Sequence, residues 1–153
     1  MSSSPEAAPR VRIATVPLRT PPPGDVDLTI FSSLDEARRA RPACGGSAVL
    51  VAGASLPFRD GALGAVEDWR ARSLQDVEED TRALRSGGLL RVVSGSRAGR
   101  RFWRPRQRPV LASEWSAWFL GAGLAEITQR ELDAPTSGVS TEGVVRKLPT
   151  VPG

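Results

Sequence analysis

The densest group of chemically active side chains lies between positions 97 and 108. Arg97, Arg100, Arg101, Arg104, Arg106 and Arg108 crowd there, with Phe102 and Trp103 between them. Guanidinium groups bond phosphates and carboxylates, and aromatic rings stack on bases, so this spacing suits nucleic acid or an acidic protein surface. The same composition also describes a solvated loop in an arginine-rich chain. A second group is the acidic run Glu78-Glu79-Asp80. Consecutive helical residues diverge by about 100°, so three in a row do not converge on one ion, and the run reads as a solvated helix face. Cys44 is the single cysteine. It excludes an internal disulfide and any multi-cysteine metal site. No histidine stands near it to make it a nucleophile.

The 153 residues include no histidine and no tyrosine. Ser-His-Asp and Cys-His catalysis are thereby excluded, with the usual zinc and haem sites. Carboxylates, arginines, hydroxyls, one thiol and one lysine, Lys147, remain. The net charge of +4 bears on solubility and nonspecific binding, not on fold. The length fits one domain with its own core. No apolar run approaches the ~20 residues that cross a bilayer. Residues 1–9 lack the basic-then-apolar layout of a signal peptide. The expectation is a cytoplasmic protein with no membrane partner: a disordered tail at 1–9, one domain at 10–149 and a tail at 150–153.

Hydrophobic patterning supplies the elements that must position any site. Residues 11–16 and 26–31 read as strands, separated by a stretch whose Pro21-Pro22-Pro23-Gly24 forbids helix. Ser32/Asp35 or Ser33/Glu36 begins a short helix that runs to about Arg41 and stops at Pro42. Residues 47–52 form a continuous apolar run of the kind buried in parallel sheets. A strand fits within 62–69. A helix fits 74–85, with Leu74, Val77, Thr81 and Leu84 on one stripe and Gly87-Gly88 ending it. Residues 89–93 are a strand. Ala112 opens a further helix carrying Trp115, Trp118 and Phe119, ended by Gly121 and Gly123. Residues 124–132 and 143–148 are two last strands that pair as a hairpin across a turn-rich 134–142. Alternating strands and helices predict an α/β fold, mostly parallel, with an antiparallel hairpin at the C-terminal edge.

Five segments, in order, resemble class I S-adenosylmethionine-dependent methyltransferases. Leu56-Pro57-Phe58-Arg59-Asp60-Gly61 resembles the stretch before that family's fourth strand, and Leu63-Gly64-Ala65-Val66 the strand itself. Asp76 to Arg85 followed by Ser86-Gly87-Gly88-Leu89-Leu90 is similar to the fourth helix and fifth strand. Trp115 to Leu124 is similar to the last helix, and Gly143-Val144-Val145-Arg146-Lys147-Leu148 to the last strand. The resemblance spans about residues 26–149. It implies a shortened Rossmann-like methyltransferase domain, its first βα unit either deleted or reduced to a remnant at 11–16.

The resemblance also implies a cofactor site whose residues are missing here. The family's Gly-rich loop after the first strand corresponds to a segment with one glycine, Gly24, among prolines. The acid closing the second strand corresponds to Phe31-Ser32. The acid before the fourth-strand motif corresponds to Ala52, and the Asp at the start of the fourth strand to Gly64. If a cofactor were nevertheless retained, Phe31, Ala52, Ser55 and Leu56 would be its contacts. No cofactor and no catalytic residue are therefore expected. The expected role is a non-catalytic partner or scaffold subunit, bound to another protein chain as a hetero- or homo-oligomer. The missing first helix would leave one sheet face for that partner to cover. One alternative is an active enzyme using S-adenosylmethionine at a divergent or partner-completed site. The second is a nucleic-acid-binding module using Arg97, Arg100, Arg101, Phe102, Trp103, Arg104 and Arg106.

Overall fold

Strand-forming runs and capped helices alternate along the chain much as the patterning predicts. A computed structural model describes residues 8–13, 26–40, 48–53, 55–94, 112–131 and 139–146. The elements are β1 (Arg10–Ile13), β2 (Leu28–Phe31), α1 (Leu34–Ala40), β3 (Ala48–Val51), β4 (Leu63–Asp68) and α2 (Leu74–Ala83), then β5 (Leu84–Ser94), α3 (Ala112–Gly121), β6 (Leu124–Glu131) and β7 (Val139–Val145). The seven strands form one sheet in the order β3-β2-β1-β4-β5-β7-β6. The pairs β1–β2, β1–β4, β2–β3 and β4–β5 are parallel. β7 runs antiparallel between β5 and β6. This is the expected mostly parallel α/β sheet, with the hairpin at its edge and β6 outermost.

Four details differ from the sequence reading. β7 runs from Val139 to Val145 and not over 143–148, so residues 139–142, read as part of a turn, are strand paired with both β5 and β6. β1 ends at Ile13 and not at Val16, yet it is a complete central strand, hydrogen-bonded to both β2 and β4. The sheet thus keeps its first strand, and the likeness begins well before residue 26. Residues 14–25, with the proline stretch, lie outside the described residues. Ala8 and Pro9, assigned by the sequence to a tail, run beside β4, where Gly64 N–H donates to Pro9 C=O at 2.9 Å. Finally, α2 stops at Ala83, ahead of Gly87-Gly88, because Leu84 turns extended (φ −82°, ψ 140°) and buries its side chain while pairing with Leu63. Gly87, at φ +82°, instead sits within β5, where the β4–β5 register shifts. Only glycine enters that backbone region without steric cost.

Caps fix where the helices begin. Ser33 Oγ accepts from Glu36 N–H at 3.2 Å, so the Ser33/Glu36 pair is the one used for α1. Ser73 caps α2 by accepting from Asp76 N–H, and Asp76 Oδ2 reaches back to Arg72 N–H at 2.8 Å. α3 ends as Gly123 N–H donates to Leu120 C=O.

The two faces of the sheet differ. α2 and α3 cover one face. There Val77, Ala83, Trp115 and Phe119 join Val11, Ile13, Ile30, Val66, Leu90, Val92 and Val145 in the main core. Trp115 and Phe119 are fully buried, and Trp118 packs edge-on to Trp115 with ring centroids 5.1 Å apart. α1 lies on the other face, where Ala37 and Ala40 pack on Phe31 and Val49. Farther along this second face a charged row crosses four strands: Arg12 on β1, Glu67 on β4, Arg91 on β5 and Glu142 on β7. Each is the register partner of the next. Arg12 Nε bonds Glu67 at 2.6 Å, and Arg91 Nε bonds Glu142 at 2.6 Å.

Candidate functional site

In open parallel sheets ligands sit beyond the carboxyl ends of the strands, where the strand order reverses. Here the order reverses between β1 and β4, whose last residues, Ile13 and Asp68, are register partners. A crevice of about 280 Å³ opens at this point. Its walls are Ile13, Ser32 after β2, Gly53 after β3, Leu56, then Asp68, Arg70 and Ala71 at the end of β4, and Asp76 and Asp80 of α2.

The floor is a pair of carboxyl groups. Asp68 is buried, and its Oδ1 accepts from the N–H groups of Arg70 at 2.7 Å and Ala71 at 2.9 Å. The turn that follows β4 is built on these two bonds. Asp80 lies against Asp68 from α2 and is only 2% exposed. Burial raises its pKa well above the ordinary carboxylate range, and the hydrogen bond with Asp68 and the charge of that group act in the same direction. Among the described residues Oδ2 of Asp80 has no hydrogen-bond partner. Arg70 spans the mouth, with Nη1 donating to Ala52 C=O at 3.3 Å.

The next residue along the helix has the opposite environment. Glu79 accepts from Arg82 and from Leu56 N–H at 2.6 Å, and these bonds, led by the one from Arg82, hold its carboxyl below the usual range against a smaller effect of burial. Arg82 also donates to the carbonyls of Leu56 and Phe58 and to Asp60, so it pins the whole 56–60 segment to α2. The acidic run is therefore not a uniformly solvated face. Glu78 is exposed, Glu79 is a tether and Asp80 is buried. Among the described residues no group of ligating side chains is arranged for a metal ion.

Of the four contacts expected for a retained cofactor, Leu56 alone lines the crevice. Phe31 points to the opposite face, into the α1 cluster, because neighbouring strand residues alternate sides; Ser32 takes its place at the end of β2. The Ser32 hydroxyl bonds Glu36, which does not line the crevice. Ala52 is half-buried and contributes its carbonyl to Arg70, and Ser55 is exposed. Gly64 stands at the opposite end of β4 from the crevice, so an Asp there would not face it. A Cβ at Gly64 would meet Ala8 C=O at 2.8 Å, which is the local reason for glycine. Gly64 therefore does not bear on the crevice, and its lack of a carboxylate carries no argument about a cofactor. Arg97, Arg100, Arg101, Phe102, Trp103, Arg104, Arg106, Arg108, Cys44 and Lys147 lie outside the described residues.

Sequence reasoning missed Asp68 and Asp80. Asp68 ends a strand-length run next to the switch point. Asp80 occupies the second position, i+3, of the spacing Val77, Asp80, Thr81, Leu84, which is the i, i+3, i+4, i+7 signature of a buried stripe. Treating residues 78–80 as one charged block concealed that spacing.

No protein-family model matches the chain, and no curated protein matches its sequence. Solved structures do match it. A SAM-dependent methyltransferase from Thermotoga maritima, described as a possible histamine N-methyltransferase, superposes with a TM-score of 0.67 at 19% identity, over 90% of this chain and 82% of that one. A putative methyltransferase complex with the Trm112 methyltransferase activator, from Haloferax volcanii, gives 0.67 at 15% identity over 93% and 84%. A SAM-dependent methyltransferase from Methanosarcina mazei gives 0.63 at 14% over 92% and 93%. At these identities the likeness is one of fold. The chain has the class I methyltransferase fold with its seven-stranded sheet complete.

Proposed function

We propose that this protein is a methyltransferase-fold protein without a working cofactor site, acting as a non-catalytic partner or scaffold subunit of a protein complex. The observation that carries this reading is the placement of charge in the crevice. Among the described residues its carboxylates stand on β4 and α2, whereas β2 and β3 end in Ser32 and Gly53. The resemblance implies acids at those two strand ends, to accept hydrogen bonds from ribose and adenine. Ser32 is already bonded to Glu36, and the Ala52 carbonyl already receives Arg70. A site built to hydrogen-bond polar groups loses binding steeply when its partners are removed. The residues present do not fit S-adenosylmethionine in the family's manner. A protein partner accords with the solved neighbour found in complex with an activator protein. The arginine-rich segment Arg97 to Arg106, with Phe102 and Trp103, is proposed to contact such a partner.

A second reading, an active S-adenosylmethionine-dependent enzyme with a divergent site, draws support from the crevice itself, which stays open at the switch point and keeps a buried acid, Asp68. Calorimetric titration of the full chain with S-adenosylmethionine separates the two readings. The expected result is no binding at millimolar cofactor. Robust micromolar binding would establish the enzyme reading and end the proposal.

A further inference from the structure

Asp80 sits on the buried stripe of α2, beside Val77 and Ala83 of the main core, where an apolar side chain would pack without cost. Instead it brings to the wall of an open crevice a carboxyl group of which one oxygen has no partner among the described residues. An unsatisfied buried polar atom is costly and uncommon, and a bound ligand is one way of satisfying it. The neighbouring walls favour positive charge. Asp68 and Asp76 stand with Asp80 against one guanidinium, that of Arg70, which is tied to the Ala52 carbonyl. The remaining described lining is Ser32, Gly53 and the apolar Ile13, Leu56 and Ala71. At about 280 Å³ the space is at or below the lower end of the range for small-molecule pockets, so the occupant is small.

We propose that the crevice binds a small organic ammonium compound, with its charged nitrogen between Asp68 and Asp80 and its carbon skeleton against Ile13, Leu56 and Ala71. An anion would meet three carboxyl groups. An inorganic cation would need converging ligands that the described residues do not offer. Asp76 stays in its helix-capping role, accepting from Arg72 N–H and from the Ser73 hydroxyl, and adds long-range charge only.

Binding is coupled to proton release. The charged groups facing Asp80 are Asp68 on β4, Arg70 in the turn after it, and Asp76 and Glu79 on its own helix. Without ligand, burial and the Asp68 charge favour the protonated form of Asp80. An ammonium group between the two carboxyls favours the ionised form, so the Asp80 proton leaves to buffer as the ligand enters. Affinity then rises with pH, by up to about tenfold per unit, until Asp80 ionises in the free protein.

The test is calorimetric titration of the full chain with n-butylammonium chloride, using n-butanol and sodium butyrate as shape-matched controls. The expected result is a dissociation constant of about 1 mM or tighter near pH 8, no binding of either control, and a heat that changes with the ionisation enthalpy of the buffer. Asp80→Asn, which keeps a neutral hydrogen-bonding group, is expected to weaken binding at least about tenfold and to remove the pH dependence. Absence of butylammonium binding, equal binding of butanol, or unchanged affinity in a folded Asp80→Asn overturns the inference. If that variant loses its cooperative melt, the wild-type buffer series decides: binding without proton release overturns it. The inference rests on the proposed function only in taking the crevice as not filled by S-adenosylmethionine. Cofactor binding would sink that reading, whereas failure of butylammonium alone sinks only this one.

Discussion

Beneath α2 and α3 the sheet presents Val11, Ile13, Val66, Leu90, Val92 and Val145, all buried, whereas the opposite face carries Arg12, Glu67, Arg91 and Glu142 in a row across β1, β4, β5 and β7. Parallel strands are usually covered by helices on both faces and are apolar on both. Here one face is built that way, and the other neutralises itself through charges of alternating sign. An apolar side chain left uncovered demands a partner, whereas a guanidinium bonded to a carboxylate across the strand does not. The expectation that a missing helix leaves a sheet face needing a partner chain therefore loses its physical basis along this row. A partner would instead be recruited by surfaces outside it.

This contrast can be broken first on the apolar face. Phe119→Ala removes a fully buried ring from the contact between α3 and the sheet and is expected to cost about 3–5 kcal/mol. A shift in the denaturant midpoint of less than a quarter of that would mean that α3 is not part of the cooperative core.

On the charged face the arrangement of the pairs matters more than their number. The Arg12 and Glu67 side chains are 7% and 12% exposed, against 31% and 30% for Arg91 and Glu142. Glu67→Ala removes the carboxylate that serves Arg12 and also lies 3.5 Å from Arg91, and it is expected to cost about 2–4 kcal/mol. Replacing both members of the inner pair, Arg12→Leu with Glu67→Leu, should return the protein to within about 1 kcal/mol of the original or leave it more stable. A double variant as unstable as the single one would show that the row does more than satisfy its own charges.

The smallest effect sharpens the comparison, because Asp80 is a charge-bearing residue on the apolar side. Its folded pKa lies above the unfolded value of about 3.9. The folded state therefore holds more protons in that window, and stability falls as pH rises from about 4 towards the folded pKa, by at most about 1.4 kcal/mol per unit. Asp80→Asn should flatten this slope in pH-dependent melts. An unchanged slope would assign it to other groups.

Much of this fold was legible locally. The 47–52 and 89–93 runs, the Ser33/Glu36 start of α1 and the aromatic cluster of α3 each depend on residues within a few positions of one another, where propensity and capping act. The end of α2 was misread because Gly87-Gly88 signals a break without saying which element contains it. Burial of Leu84 against β4 decided that. The site was less legible than the fold. Phe31 and Ser32 are adjacent in sequence, but the alternation of a strand sends one into the α1 cluster and leaves the other at the crevice.

Composition alone excluded histidine chemistry and disulfides, and periodicity alone put Val77, Thr81 and Leu84 on one stripe, a stripe that also contains Asp80 although the acidic run concealed it. A helical wheel relates residues on one helix to each other and is silent about what they meet. Only the packed sheet, with β1 and β4 adjacent and α2 laid across their ends, brought Asp80 against Asp68. That encounter joins residues twelve positions apart in the chain through contacts made far from either, which is why tertiary structure, and not local sequence, decided that this acid would meet a second carboxyl group and have its pKa raised.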